Sequence, residues 1–222
     1  MELRLTRRGF LAGAGVAAAG AARGADGDPP LVEATLAGDA AAVRALVAAG
    51  ADLEARGAAG RTALLLATRA DDVEVASLLI AAGADVNARD DIGDTPFLYA
   101  GAEGRDAILR AILATGRADL RDTNRYGGTA LIPAAHHGHP ETVRILLATG
   151  IDIDHVNDLG WTALLEAVIL GDGGPVYREI VGLLMDAGAR QIPDREGVTP
   201  LQHAQRRGFS ALAERIRGGR NG

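Results

Sequence analysis

The 222 residues leave room for one substantial domain or for an array of small repeated units. With 48% apolar but only 3% aromatic residues, the core must be closely packed Ala, Leu, Val and Ile, which helices do best. The formal net charge is −6 and every basic residue is Arg; the first 25 residues hold four Arg against one Glu, leaving 19 Arg against 28 acids, a balance of −9 that excludes general attraction to nucleic acid or anionic membrane, while the lack of Cys excludes disulfides, thiolate metal sites and a cysteine nucleophile.

In chain order, residues 1–25 come first: a short basic segment, then a mildly apolar Gly/Ala-rich run from Gly9 to Ala22, then small residues. Fourteen such residues are too few to span a bilayer, for which about 20 are needed, and the run has no polar face to make it a domain helix. Thr6-Arg7-Arg8-Gly9-Phe10-Leu11 resembles the twin-arginine export signal, Ser/Thr-Arg-Arg-x-Phe-Leu, with Ala12 where that signal often has Lys. The resemblance implies that Arg7, Arg8, Phe10 and Leu11 direct export of an already folded chain, cleaved near Ala21-Ala22. It implies a periplasmic location, with membrane contact only in transit.

The remainder repeats itself. GRTALLLAT, GDTPFLYAG, GGTALIPAA, GWTALLEAV and GVTPLQHAQ align at Thr62, Thr95, Thr129, Thr162 and Thr199, spaced by 33, 34, 33 and 37 residues. A second series, Gly50, Gly83, Gly116, Gly150 and Gly188, keeps the same period. Each Thr is a suitable helix N-cap, and Pro96 and Pro200 follow where the missing N–H costs nothing. A large and a small apolar residue stand two and five places after the Thr, as in Leu64 and Ala67 or Phe97 and Ala100, on one helical face. Gly104, Gly138, Gly171 and Gly208 stand nine places after the Thr as left-handed stops, with Asp71 in that place in repeat two. A second helix follows, with inward positions such as Val143, Leu146 and Leu147, and then about a dozen residues with turn formers at their middle, which suit a hairpin-like finger.

A 33-residue unit of turn, helix, short turn and helix, opened by Gly-x-Thr-Pro/Ala-Leu and closed by runs such as LLIAAGADVNAR, resembles the ankyrin repeat. The resemblance covers residues 29–217 and implies an all-α solenoid of six repeats, about 29–56, 57–89, 90–122, 123–156, 157–192 and 193–217. The first and last act as caps. The sequence departs from the family where His is usual three places after the Thr; Leu65, Leu98, Ile132, Leu165 and Gln202 stand there instead.

No catalytic constellation is visible: there is no phosphate-binding Gly-rich loop after a strand and no Gly-x-Ser-x-Gly, and the Asp residues recur with the repeat, as turn caps do. His136, His137 and His139 invite a metal or small-ligand reading. Yet His139 reads as a turn contact, and His136 and His137 diverge by about 100° on a helix, so neither a metal nor a cofactor is expected. What remains is a surface. By resemblance, finger tips and first-helix ends on a concave face bind a partner protein. Those positions are Asp91, Ile92, Asp94, Arg125, Tyr126, Leu159 and Trp161, together with His136, His137, Ile169 and Leu170. Tyr126, Leu159, Trp161, Ile169 and Leu170 are expected to cluster across repeats four and five, with the aromatics as anchors. LGDGGPVYRE in repeat five reads as a surface insertion, or else as a second patch through Tyr177 and Arg178. The resulting expectation is a monomeric, non-catalytic protein-binding module. An inhibitor or immunity-type partner of a periplasmic enzyme is the alternative.

Overall fold

A computed structural model describes residues 27–218. The export-signal reading of residues 1–25, with Arg7, Arg8, Phe10 and Leu11, lies outside the described residues. These form twelve α-helices and no β-strand, in six pairs. The first helices are α1 Pro30–Leu36, α3 Ala63–Ala70, α5 Pro96–Ala102, α7 Leu131–His137, α9 Ala163–Ile169 and α11 Pro200–Arg206. The second helices are α2 Ala40–Ala48, α4 Val73–Ala82, α6 Asp106–Ala114, α8 Pro140–Leu147, α10 Pro175–Asp186 and α12 Ser210–Gly218. Each first helix packs on the next first helix and each second helix on the next second helix, so two parallel layers run the length of an ankyrin-type solenoid. Helices of seven to twelve residues are marginal alone, and only stacking makes them stable. Among the described residues no helix is long and apolar enough to cross a membrane.

The expected cap is present in four of the five Thr repeats. The hydroxyls of Thr62, Thr95, Thr162 and Thr199 accept the N–H of Leu65, Leu98, Leu165 and Gln202 at 3.1 to 3.3 Å. Thr199 and Gln202 complete a reciprocal capping box. Thr129 departs from the expectation: its buried hydroxyl has no hydrogen-bond partner, and α7 begins only after Ala130. The cause stands four places on. In the other repeats the residue at that place donates its N–H to the Thr carbonyl, but Pro133 has none, so Ile132 N–H turns to the Thr129 carbonyl at 3.1 Å and leaves the hydroxyl unused.

The paired apolar positions form the core. Leu64 and Ala67, Phe97 and Ala100, Leu131 and Ala134, and Leu164 and Ala167 are buried. Leu201 is only half-buried, because α11 closes its layer and packs on a first helix from one side alone. Within the first-helix layer α5 approaches the start of α7 closely at Gly101, where a Cβ would lie 2.8 Å from the Ala130 Cβ. Asp71 takes the left-handed stop that glycine takes elsewhere (φ 57°), at a cost of about 1 kcal/mol.

Repeat five corrects two expectations. Gly171 is not left-handed; the link runs on and Gly173 turns instead (φ 73°). The added residues also divide between this link and α10, which has 12 residues against 8 in α8. Nor does Tyr177 belong to a free patch. It is half-buried, its ring lies against Gly171, and its hydroxyl donates to the His136 carbonyl at 2.7 Å, fastening repeat five to repeat four.

Candidate functional site

The fingers between helix pairs are shaped by one side chain each. The Oδ1 atoms of Asp90, Asn124, Asn157 and Asp194 each accept two backbone N–H groups, two and four residues on, at 2.9 to 3.0 Å. Each of these residues also donates its own N–H to the carbonyl four places on. The loop is thereby closed into a tight turn, with its glycine, such as Gly127 or Gly160, in the left-handed region. The turn is thus closed without help from the side chain at its tip, which is left in solvent. In the middle three fingers that side chain is Ile92, Tyr126 or Leu159, exposed by 47%, 54% and 50%. Adjacent tips are joined through Asp91 N–H to the Ala59 carbonyl (3.1 Å) and Asp158 N–H to the Tyr126 carbonyl (2.9 Å).

Between these tips and the ends of α5, α7 and α9 lies a cleft of about 610 Å³. Of the residues expected from the sequence, Ile92, Asp94, Arg125 and Tyr126 line it on the finger side with Leu159. His136, His137 and Leu170 line it on the helix side. Asp91, Trp161 and Ile169 are not part of this wall. Asp91 lies against Gly60 of the preceding finger. Trp161 is half-buried, with its backbone committed to Asn157. The Ile169 carbonyl accepts the Arg207 guanidinium at 2.6 Å. The expected five-residue cluster therefore reduces to Tyr126, Leu159 and Leu170.

The sequence reading missed Tyr99, Arg69, Asn157 and Glu166, all of which line the cleft. Arg69 stacks 4.5 Å above the Tyr99 ring and lies 3.7 Å from Asp94, whose carboxyl is pushed above the usual range first by burial and then by Asp90. Arg125 covers the Tyr126 ring at 5.0 Å. Leu98 and Ile132, two of the positions that depart from the usual His, also line the cleft and add apolar surface to it. Glu166 had a legible signal: four places after the Thr, where the other repeats carry Leu66, Tyr99, Pro133 and His203, it is the one acid.

The histidines do not converge. The His136 and His137 ring centroids are 4.8 Å apart, but His137 Nδ1 donates to the Ala102 carbonyl at 2.7 Å. His139 packs its ring against Gly104 of the preceding repeat, a contact between repeats rather than the local turn contact expected. Among the described residues no three His, Cys, Asp or Glu side chains come together as metal ligands. Burial lowers the pKa of His136 and of His139, with His137 adding to the effect.

Comparison with known proteins agrees with this architecture. The family described as ankyrin repeats (many copies) matches residues 98–143 and 132–173, and that described as ankyrin repeats (3 copies) matches residues 10–90. A crystal structure of an ankyrin repeat domain from Acinetobacter baumannii AYE shares 52% identity, covers 84% of this chain and 95% of its own, and superposes with a TM-score of 0.82. The chain belongs to the ankyrin repeat family. Two further ankyrin structures are similar: EF0377 at 41% identity (86% of this chain, 98% of that one, TM-score 0.83), and the ankyrin repeat domain of Bcl-3, of the IkappaB family, at 33% (88% of each, TM-score 0.78). The ankyrin repeat protein YahD of Escherichia coli K12 is 39% identical over 121 residues, 54% of this chain; the chain spans 60% of the length of that relative. Ankyrin repeats are in general protein–protein interaction modules and typically non-catalytic.

Proposed function

We propose that this ankyrin protein is an exported, non-catalytic module that works in the periplasm as a monomer and holds a partner protein in the cleft between its finger tips and first helices. The observation that carries the reading is the apolar row Ile92, Tyr126 and Leu159, joined by Leu170 across the cleft, all more than 40% exposed. The fold does not need these side chains in water. The finger turns close through backbone and Asx groups whatever the tip residue is, so neighbouring large apolar tips are a cost to solubility that an interface would recover. Export is supported by the Thr6-Arg7-Arg8-Gly9-Phe10-Leu11 pattern and by a chain without Cys, which folds equally well on either side of the membrane.

The test is retention of a partner from periplasmic extract on the immobilised protein. Ile92→Ser with Tyr126→Ser and Leu159→Ser should abolish retention and leave the helical circular dichroism intact, whereas Trp161→Ala should weaken it little. Undiminished retention by the triple variant would overturn the placement of the site. For export, Arg7→Lys with Arg8→Lys should strand the chain in the cytoplasm, read by fractionation; normal export of that variant would refute the signal.

A further inference from the structure

Glu166 projects from the middle of α9 into the cleft, and its side chain is only 7% exposed, against 18% for Asp94 and 41% for Glu103 on the same walls. Its Oε1 is held by Asn157 Nδ2 at 2.8 Å. Its Oε2 receives no hydrogen bond among the described residues; the closest base is His136 Nδ1 at 3.4 Å. Burial and the neighbouring His137 both lower the pKa of His136, which disfavours its charged form as a counter-ion, and the pull of His137 on the Glu166 carboxyl is smaller than the effects of burial and of the Asn157 bond. The two nearby guanidiniums are engaged elsewhere, Arg69 with Asp94 and Tyr99 and Arg125 with Tyr126. With Oε1 held by Asn157 and Oε2 free of protein donors but open to the cleft, this carboxylate presents one available acceptor to whatever occupies the cleft.

We propose that Glu166 is the receptor for one Arg or Lys side chain of the partner protein, whose aliphatic stem lies along Tyr126, Leu159 and Leu170 while its cationic head donates to Oε2. Charge, shape and surroundings each support this occupant. A single free carboxylate oxygen suits a hydrogen-bonding cation and is too few ligands for a metal. A long basic side chain matches a cleft with apolar walls and an acidic floor, since its stem is apolar and its head charged. A free diamine would have the head but nothing for the exposed tips on either side of Glu166, which ask for apolar residues flanking the basic one in a polypeptide. The net charge of −6 favours approach of such a segment.

The inference rests on the protein-binding reading of the cleft, and its test separates the two. A phage-displayed random dodecapeptide library is panned on the purified full chain, and the most enriched peptide is synthesised with its basic residue intact and replaced by Gln. Enriched peptides should carry an Arg or Lys between apolar residues, and the replacement should weaken binding about tenfold. With Glu166→Gln, which keeps an oxygen for Asn157 and should melt no earlier than the parent, the two peptides should bind alike. Enrichment without a basic residue, no enrichment, or the same tenfold loss in Glu166→Gln would overturn the receptor role. If Glu166→Gln fails in that way while Ile92→Ser with Tyr126→Ser and Leu159→Ser still abolishes enrichment, the cleft stands as a protein-binding site and only the basic receptor is lost. Enrichment unchanged by the triple variant sinks the site itself.

Discussion

In repeats five and six the same side-chain hydrogen bond joins the finger to the first helix nine residues later, with its charge at opposite ends. In repeat five Asn157 Nδ2 donates to Glu166 at 2.8 Å; in repeat six His203 Nε2 donates to Asp194 at 2.7 Å. Asp194 sits in the turn, where the Val198 N–H first and then the His203 contact hold its carboxyl below the usual range. Glu166 sits on the helix, where burial outweighs the Asn157 bond and holds its carboxyl above it. One unit is therefore electrostatically complete, and the other keeps an acid whose second oxygen faces a cleft. The lesson is that the repeat frame tolerates either arrangement, so the choice in repeat five is open to selection by a partner.

The sharpest way to break this contrast is to put the repeat-six acid into repeat five. Asn157→Asp would face two carboxylates across a hydrogen-bond distance. It should lose about 3 kcal/mol at pH 7 in urea unfolding, with most of the loss recovered by adding Glu166→His, which rebuilds the repeat-six pair. Failure of the second change to restore stability would show that the two frames are not equivalent. A smaller effect extends the comparison to repeat four. Thr162→Ala removes a working cap and should cost about 1 kcal/mol, whereas Thr129→Ala, whose hydroxyl has no partner, should change the urea midpoint by less than about half that. Equal losses would mean that Thr129 caps after all.

The smallest effect is a difference of sign with pH. The raised pKa of Glu166 means that its ionised form costs stability at neutral pH, a penalty that fades as pH falls through the folded value towards the unfolded 4.5. Glu166→Gln should therefore be slightly more stable than the parent at pH 7. The lowered pKa of Asp194 contributes stability that is present above the unfolded 3.8 and lost as pH falls through the folded value. Asp194→Asn should be slightly less stable at pH 7. Both variants should converge on the parent in acid, from opposite sides, in thermal melts across pH 3 to 7. Convergence from the same side would refute the contrast.

The cleft was legible in the sequence where a residue's role follows from its place in the repeat. Ile92, Tyr126 and Leu159 each stand two places after the Asx residue that closes the finger turn, and at that place the side chain is exposed. Trp161 and Ile169, expected as contacts from residue type, are half-buried and lie outside the cleft wall, a placement that residue type alone does not reveal. The missing cap at Thr129 was also readable in retrospect, since Pro133 announces an absent N–H four places on.

Local chemistry at a 33-residue period sufficed to specify the helices, their caps, the finger turns and the buried pairs, because each depends on neighbours within one unit or on an identical unit beside it. The burial of Glu166, the clamp from Tyr177 to His136 and the contacts of His137 with Ala102 and of His139 with Gly104 emerge only when unlike repeats are stacked. They depend on which side chain of one repeat meets which of the next across the layer, and a pattern that is the same in every repeat carries no information about contacts that occur once.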